Sequence, residues 1–211
     1  MSSGEVEIER KYDVDEAARM PSLVGADRVA SADAAETFEL DATYYDTRAL
    51  DLANRRIAVR RRLGGHDAGW HIKWPPEAEG RREQQFALGD DESVPEEVRA
   101  ALAEHLGDEP LVPIARIRNR RVATVLRDAS GGALVELADD HVVATELRAG
   151  ATHGVERRWQ EWEAELLPAG AMGEVSDRAA LLDAIEERLL GAGAQPPSSG
   201  SKLARALGLS R

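Results

Sequence analysis

The 211 residues include no cysteine. That excludes a disulfide framework and thiol chemistry, and it fits a reducing compartment. Long apolar runs are missing as well: no segment approaches the length needed to span a bilayer, and the opening MSSGEVEIER has no apolar stretch of the kind a secretory signal carries. The five histidines are scattered without an H-x-x-x-H or comparable pair, which sets zinc aside. Glycine pairs fall at 64 and 65 and at 131 and 132, but neither precedes a phosphate-cradling helix with a Walker lysine, so both read as turns. Nor is there an excess of positive charge. Acidic residues number 39 against 27 lysines and arginines, and the formal charge of -12 argues against non-specific nucleic-acid binding. The expectation is a cytoplasmic protein with no membrane and no nucleic-acid partner.

What the chain does contain is a set of strand-like segments with one charged face each. In EVEIERK a period of two puts Glu5, Glu7, Glu9 and Lys11 on one side and Val6 and Ile8 on the other. Three carboxylates and an ammonium in one row are costly unless they meet water, a metal or a polyanion. The habit returns in QEWEAEL, where Glu161, Glu163 and Glu165 alternate with Trp162, Ala164 and Leu166. Other segments carry the opposite sign. Arg60 and Arg62 share a face, Lys73 and His71 lie opposite Trp70, Ile72 and Trp74, and Arg116, Arg118 and Arg120 lie opposite Ile117. Glu83 and Gln85 alternate with Gln84 and Phe86. A solvated outer sheet face accounts for any one such row. It does not require acidic and basic strands to be segregated, whereas a closed barrel with a polar interior does.

The length suits one all-β or α+β domain with helical additions. Helix signals lie in DEAARMPSL, ended by Pro21, and in EEVRAALAEHLG, where Ser93 and Glu96 form a capping-box pattern and Gly107 supplies a stop. Ser176 can cap a further helix that carries Leu181, Leu182, Ile185 and Leu189 at helical spacing. GAGAQPPSSG is a break, and SKLARALGL is a short terminal helix. The paired prolines at 75 and 76 read as a turn.

The E-x-E-x-K of Glu7, Glu9 and Lys11 in VEIERKY, followed by YYDT at 44–47 and the R-x-R of Arg60 and Arg62, resembles the CYTH domain. That family belongs to the triphosphate tunnel metalloenzymes, with CyaB and thiamine triphosphatase-like members. The later elements follow in family order: Lys73 in HIKW, Glu83 in RREQ, ARIRNRR, ELADD, EWEAEL and SKLARAL. Gln85 departs from the pattern, standing where an acidic residue often follows the equivalent of Glu83.

The resemblance implies an α+β, mainly antiparallel protein. It would be one domain over 1–211, with an eight-stranded closed β-barrel, the triphosphate tunnel, at about 4–168 and flanking C-terminal helices at about 176–209. It assigns Lys11, Arg60, Arg62, Lys73, Arg116, Arg118 and Lys202 to phosphate. Glu7, Glu9, Glu163 and Glu165 are assigned to Mg²⁺ or Mn²⁺, with Glu83, Glu136, Asp140 and Glu161 as a second rank. Glu7, Glu9, Lys11, Glu163 and Glu165 form the catalytic set. Residue chemistry agrees, since arginine forks and lysine ammonium groups suit phosphate oxygens and hard cations take carboxylates. The implied activity is hydrolysis of a triphosphate, inorganic tripolyphosphate first, then nucleoside or thiamine triphosphate. A class IV-type adenylate cyclase and a non-catalytic polyphosphate-binding module are the alternatives, and a CHAD-like helical domain is the expected neighbour in a longer parent chain.

Overall fold

The computed structural model describes residues 4–78, 80–89, 93–106, 109–148 and 154–209. The alternating segments form strands: β1 (Gly4–Glu7), β2 (Glu9–Val14), β3 (Ser31–Ala32), β4 (Glu36–Asp46), β5 (Ala58–Leu63), β6 (Gly69–Glu77), β7 (Gly80–Phe86), β8 (Val112–Arg127), β9 (Ala133–Glu146) and β10 (Glu156–Leu166). All pairings are antiparallel, in the order β1-β7-β6-β5-β4-β8-β9-β10-β2, with β3 attached to β8. β1 and β2 are two halves of one strand broken at Ile8, whose carbonyl accepts the Leu166 N–H at 2.9 Å. The N-terminal strand therefore serves both edges and the sheet returns on itself as a barrel, eight strand positions round when the two halves count once.

Helices α1 (Asp51–Asn54), α2 (Glu96–Ala101), α3 (Ala103–Leu106), α4 (Pro168–Ala171), α5 (Val175–Gly191) and α6 (Lys202–Ala206) flank it. The apolar alternates of the strands explain where they dock. Tyr12, Trp162, Ala164 and Leu166 point outward and are covered by Leu181, Leu182, Ile185 and Leu189 of α5. Trp70, Ile72 and Trp74 likewise pack beneath Val98, Leu102 and Leu106. Each such aliphatic side chain stabilises by roughly 1.5–3 kcal/mol when fully buried. The third cluster is different, because α6 enters one end of the barrel: Leu203, Ala206 and Leu207 pack on the inward-facing Ala42, Tyr44, Ile117 and Val142. Ser201 caps this helix by accepting the Ala204 N–H at 3.1 Å.

Four local expectations are corrected. Residues 15–23 form a single turn at Glu16 and Ala17 followed by irregular chain, not a helix, since Pro21 has no N–H to donate and keeps Met20 out of the helical region. The helix in EEVRAALAEHLG starts at Glu96 as read, but Pro95 stands at its N-cap in place of Ser93, because a residue before proline resists helical angles and Val94 could not have opened it. It also breaks at Leu102, while Gly107 lies outside the described residues. Glu174, boxed with Asp177, caps α5 in place of Ser176. Pro75 and Pro76 mark a register shift inside β6, not a turn.

Candidate functional site: a charged tunnel

The barrel encloses a cavity of about 320 Å³, lined by the polar alternates of its strands. Two sides can be distinguished. On one, β2, β10 and β9 set Glu9, Glu165 and Glu136 side by side, since Glu165 is the cross-strand partner of both Glu9 and Glu136. Lys11 and Glu163 are paired two residues along. On the other, β5, β6 and β7 supply Arg60, Arg62, Lys73 and Glu83, with Glu7 arriving from β1. Lys73 reaches Glu83 at 2.8 Å and Glu7 at 2.5 Å. Arg60 is 3.6 Å from Glu83. His71 is buried, its Nδ1 on Glu83 and its Nε2 2.9 Å from the Asp67 carbonyl.

Electrostatics follow from this crowding. Burial, then a hydrogen bond with Glu83, raises Glu7 to about 8. Burial also pushes Glu83 upward, but the His71 hydrogen bond, Lys73 and Arg60 outweigh it and hold Glu83 well below the usual carboxylate range. Glu165 makes no ion pair among the described residues, and burial followed by Glu9 lifts it to about 7. On the cationic side, the Nε of Arg60 and of Arg62 is buried without a hydrogen-bond partner among the described residues. Buried donors of that kind call for acceptor oxygens.

Asp140, Glu161 and Glu163 place carboxylate oxygens within 4.8 Å of one another. This trio is balanced by protein cations. Lys202 of α6 lies 2.8, 2.6 and 2.7 Å from the three in that order, and Arg121 binds Asp140 through Nε at 2.8 Å and Glu163 at 2.5 Å. Burial opposes the charge on Lys202, but Asp140, Glu163 and Glu161 hold it well above the ordinary lysine value. The trio therefore anchors Lys202 and Arg121, and the row of Glu9, Glu165 and Glu136 is a second set of carboxylates that could hold a divalent cation. Its donors are all oxygen, they are in register on adjacent strands, and one has no counter-ion, which fits Mg²⁺ or Mn²⁺.

The tunnel brings together Glu7, Glu9, Lys11, Arg60, Arg62, Lys73, Glu83, Glu136, Glu163, Glu165 and Lys202. Asp140 and Glu161 sit just behind Lys202. Arg116 and Arg118 are corrected: both are exposed on the outer face of β8, and Arg116 forks onto Asp41, with Nε at 2.9 Å. Ile117, Asn119 and Arg121 point inward instead. Arg121 is thus a tunnel cation that was given no role from the sequence although it closes the ARIRNRR motif, and its cross-strand partner is Asp140. Arg81 also lines the cavity, with Nε 2.6 Å from the Trp74 carbonyl, closing the β6 bulge.

An antiparallel barrel with flanking helices and facing acidic and basic interior walls defines the class to which this protein belongs, and solved structures share that fold. A protein of Pyrococcus horikoshii OT3 matches with a TM-score of 0.55 and 17% identity, covering 96% of this chain and 98% of its own. The Hippeastrum "putative adenylyl cyclase", described as having a dominant triphosphatase activity, matches with a TM-score of 0.50 and 18% identity, covering 97% of each chain. The CYTH domain family model matches residues 5–206, and the chain belongs to that family. Uncharacterised proteins of Mycobacterium tuberculosis, from strains CDC 1551 / Oshkosh and H37Rv, are 40% identical over 212 residues. The alignment takes in 96% of this chain, which spans 40% of the length of those relatives. No helix among the described residues is long and apolar enough to cross a membrane.

Proposed function

We propose that the tunnel binds and hydrolyses a triphosphate, with inorganic tripolyphosphate as the first substrate and nucleoside or thiamine triphosphate behind it. The observation that carries this reading is the pairing of buried, unsatisfied guanidinium nitrogens on Arg60 and Arg62 with a carboxylate row across the same cavity. A lone polyanion needs only the first; a polyanion that arrives with a hard cation needs both.

Arg60, Arg62 and Lys73 hold the phosphate chain from one side, and Lys11, Lys202 and Arg121 face it from the other. Glu9, Glu165 and Glu136 would hold Mg²⁺ or Mn²⁺, with Glu7 and Glu163 beside them; when bound, the metal lowers the pKa of water and screens phosphate charge. Water attacks the terminal phosphorus in line, its bond to the bridging oxygen breaks, and pyrophosphate leaves. The fixed guanidinium and ammonium groups stabilise charge on the transferred and leaving groups, so no protein nucleophile is required. Residues 1–211 act as one domain in the cytoplasm, and the greater length of the Mycobacterium relatives leaves room for a CHAD-like helical domain after it in a parent chain.

A phosphate-release panel with tripolyphosphate, long-chain polyphosphate, ATP and thiamine triphosphate, each with Mg²⁺, Mn²⁺ or chelator, tests the reading. Fastest release from tripolyphosphate, abolished by chelator, is expected. Cyclic AMP from Mn-ATP would replace hydrolase by cyclase, and tight binding without turnover would leave a polyphosphate-binding module.

A further inference from the structure

The turn between β5 and β6 contributes Gly65, His66 and Asp67 to the tunnel lining and brings a carboxylate to a place where phosphate is expected. Gly64 and Gly65 both take positive φ, 79° and 75°, and a Cβ on Gly64 would lie 2.1 Å from the Glu39 carbonyl oxygen. Only glycine allows so close a reversal. The chain is thereby folded back so that Asp67 reaches β5, where its carboxylate forms an ion pair with Arg62. Its main chain is not loose. The Asp67 carbonyl accepts from Gln85 Nε2 at 3.2 Å and contacts His71 Nε2 at 2.9 Å, and both of these side chains belong to the tunnel wall. The two partners differ sharply in exposure: the Asp67 side chain is 50% exposed, that of Arg62 only 9%.

Arg62 is short of negative charge. Burial, followed by the like charge of Arg60, lowers it to about 9, and Arg121 adds to the repulsion. Glu83 offsets only part of this, and the Arg62 Nε remains without a hydrogen-bond partner among the described residues. An anion at this arginine is therefore stabilising in the ligand-free protein.

We propose that Asp67 is a built-in stand-in for phosphate, occupying Arg62 until a ligand with enough negative charge displaces it, and that it thereby sets which anions the tunnel retains. This rests on the triphosphate reading above. Displacement needs no opening of the turn: the backbone stays on His71 and Gln85 while the half-exposed carboxylate rotates into water. A single phosphate would have to break the pair with few contacts to compensate. A triphosphate engages Arg60 and Lys73 at the same time and can do so.

The test is calorimetric binding of tripolyphosphate and of orthophosphate, in chelator, to the wild-type protein, Asp67→Asn, Arg62→Ala and the double variant. Asp67→Asn should tighten tripolyphosphate binding about tenfold, the scale of one charge-assisted contact. The gain should be absent in the Arg62→Ala background, and Asp67→Ala should reproduce it, guarding against an artefact of the amide. Unchanged or weaker binding in both Asp67 variants, or an equal gain without Arg62, overturns the role of Asp67 alone. Failure of wild type and variants alike to bind tripolyphosphate overturns the triphosphate reading, and this inference with it.

Discussion

Glu165 and Glu9 are direct cross-strand partners on the inner face of the barrel, two carboxylates held in register with Glu136 next in the row. Lys11 neutralises Glu9 at 2.7 Å, while Glu165 has no ion pair among the described residues. This asymmetry makes Glu165 the most informative position for the metal question.

Glu165→Gln and Glu9→Gln should each cut metal-dependent turnover by about a hundredfold or more, the loss of about 3 kcal/mol of transition-state stabilisation. Each removes ligand charge without changing shape, so far-UV circular dichroism should match wild type. Full activity in both at limiting Mg²⁺ would place the cation elsewhere.

The metal-free protein should lose stability as the pH rises through neutrality. Glu7 and Glu165 are raised from an ordinary 4.5 to about 8 and about 7, chiefly by burial. A raised carboxyl contributes stability that is fully present below its unfolded value and lost as the pH climbs through the folded one. Thermal unfolding in chelator should therefore give a lower Tm at about pH 8.5 than at about pH 5.5, and Glu165→Gln should narrow the gap. An identical pH profile in the variant would show that Glu165 does not carry the effect.

The cationic residues should separate into three groups. Arg60→Ala, Arg62→Ala and Lys73→Ala should each weaken tripolyphosphate binding by about 1.5–3 kcal/mol. Arg116→Ala and Arg118→Ala, on the outer face, should leave it within about 0.5 kcal/mol of wild type. Arg121→Ala should instead destabilise the fold by roughly 3–5 kcal/mol, because Asp140 and Glu163 lose a buried counter-ion. Calorimetric titration and chemical unfolding give the two readouts; equal binding losses at Arg116 and Arg60 would reverse the facing of β8.

Truncation after Gly200 should raise the KM for triphosphate and make the barrel more protease-sensitive even with ligand present. It removes Lys202 from its three carboxylates and uncorks the end filled by Leu203 and Leu207. Lys202→Ala keeps the apolar cork but, like Arg121→Ala, deprives Asp140, Glu161 and Glu163 of a buried counter-ion, so it should raise the KM and also lower stability by roughly 3–5 kcal/mol. If the truncated chain shows wild-type kinetics, Lys202 has no part in binding.

The interior was legible wherever a strand alternates charge with large apolar residues. Glu163 against Trp162 and Lys73 against Trp74 leave no doubt which side meets a helix. β8 lacks that contrast. Arginines occupy both of its faces, at 116, 118 and 120 and again at 121, and its inward face mixes Ile117 with Asn119 and Arg121, since α6 makes only the Ile117 end of the tunnel apolar. A period of two identifies faces but not which is inside, and the information that decides it lies in a helix some eighty-five residues away. The missed turn at 15–23 has the opposite cause, since good helix formers there are overruled by one proline.

The strand broken at Ile8 has a temporal consequence. Its first half pairs with β7 and its second with β10, so Glu9 waits for Glu165, which follows it by more than one hundred and fifty positions along the chain. During synthesis the earliest residues to emerge are among the last to find their partners. Contacts so distant in sequence slow the search for the native state, and until β10 appears the edge of β2 is exposed to any other strand that meets it.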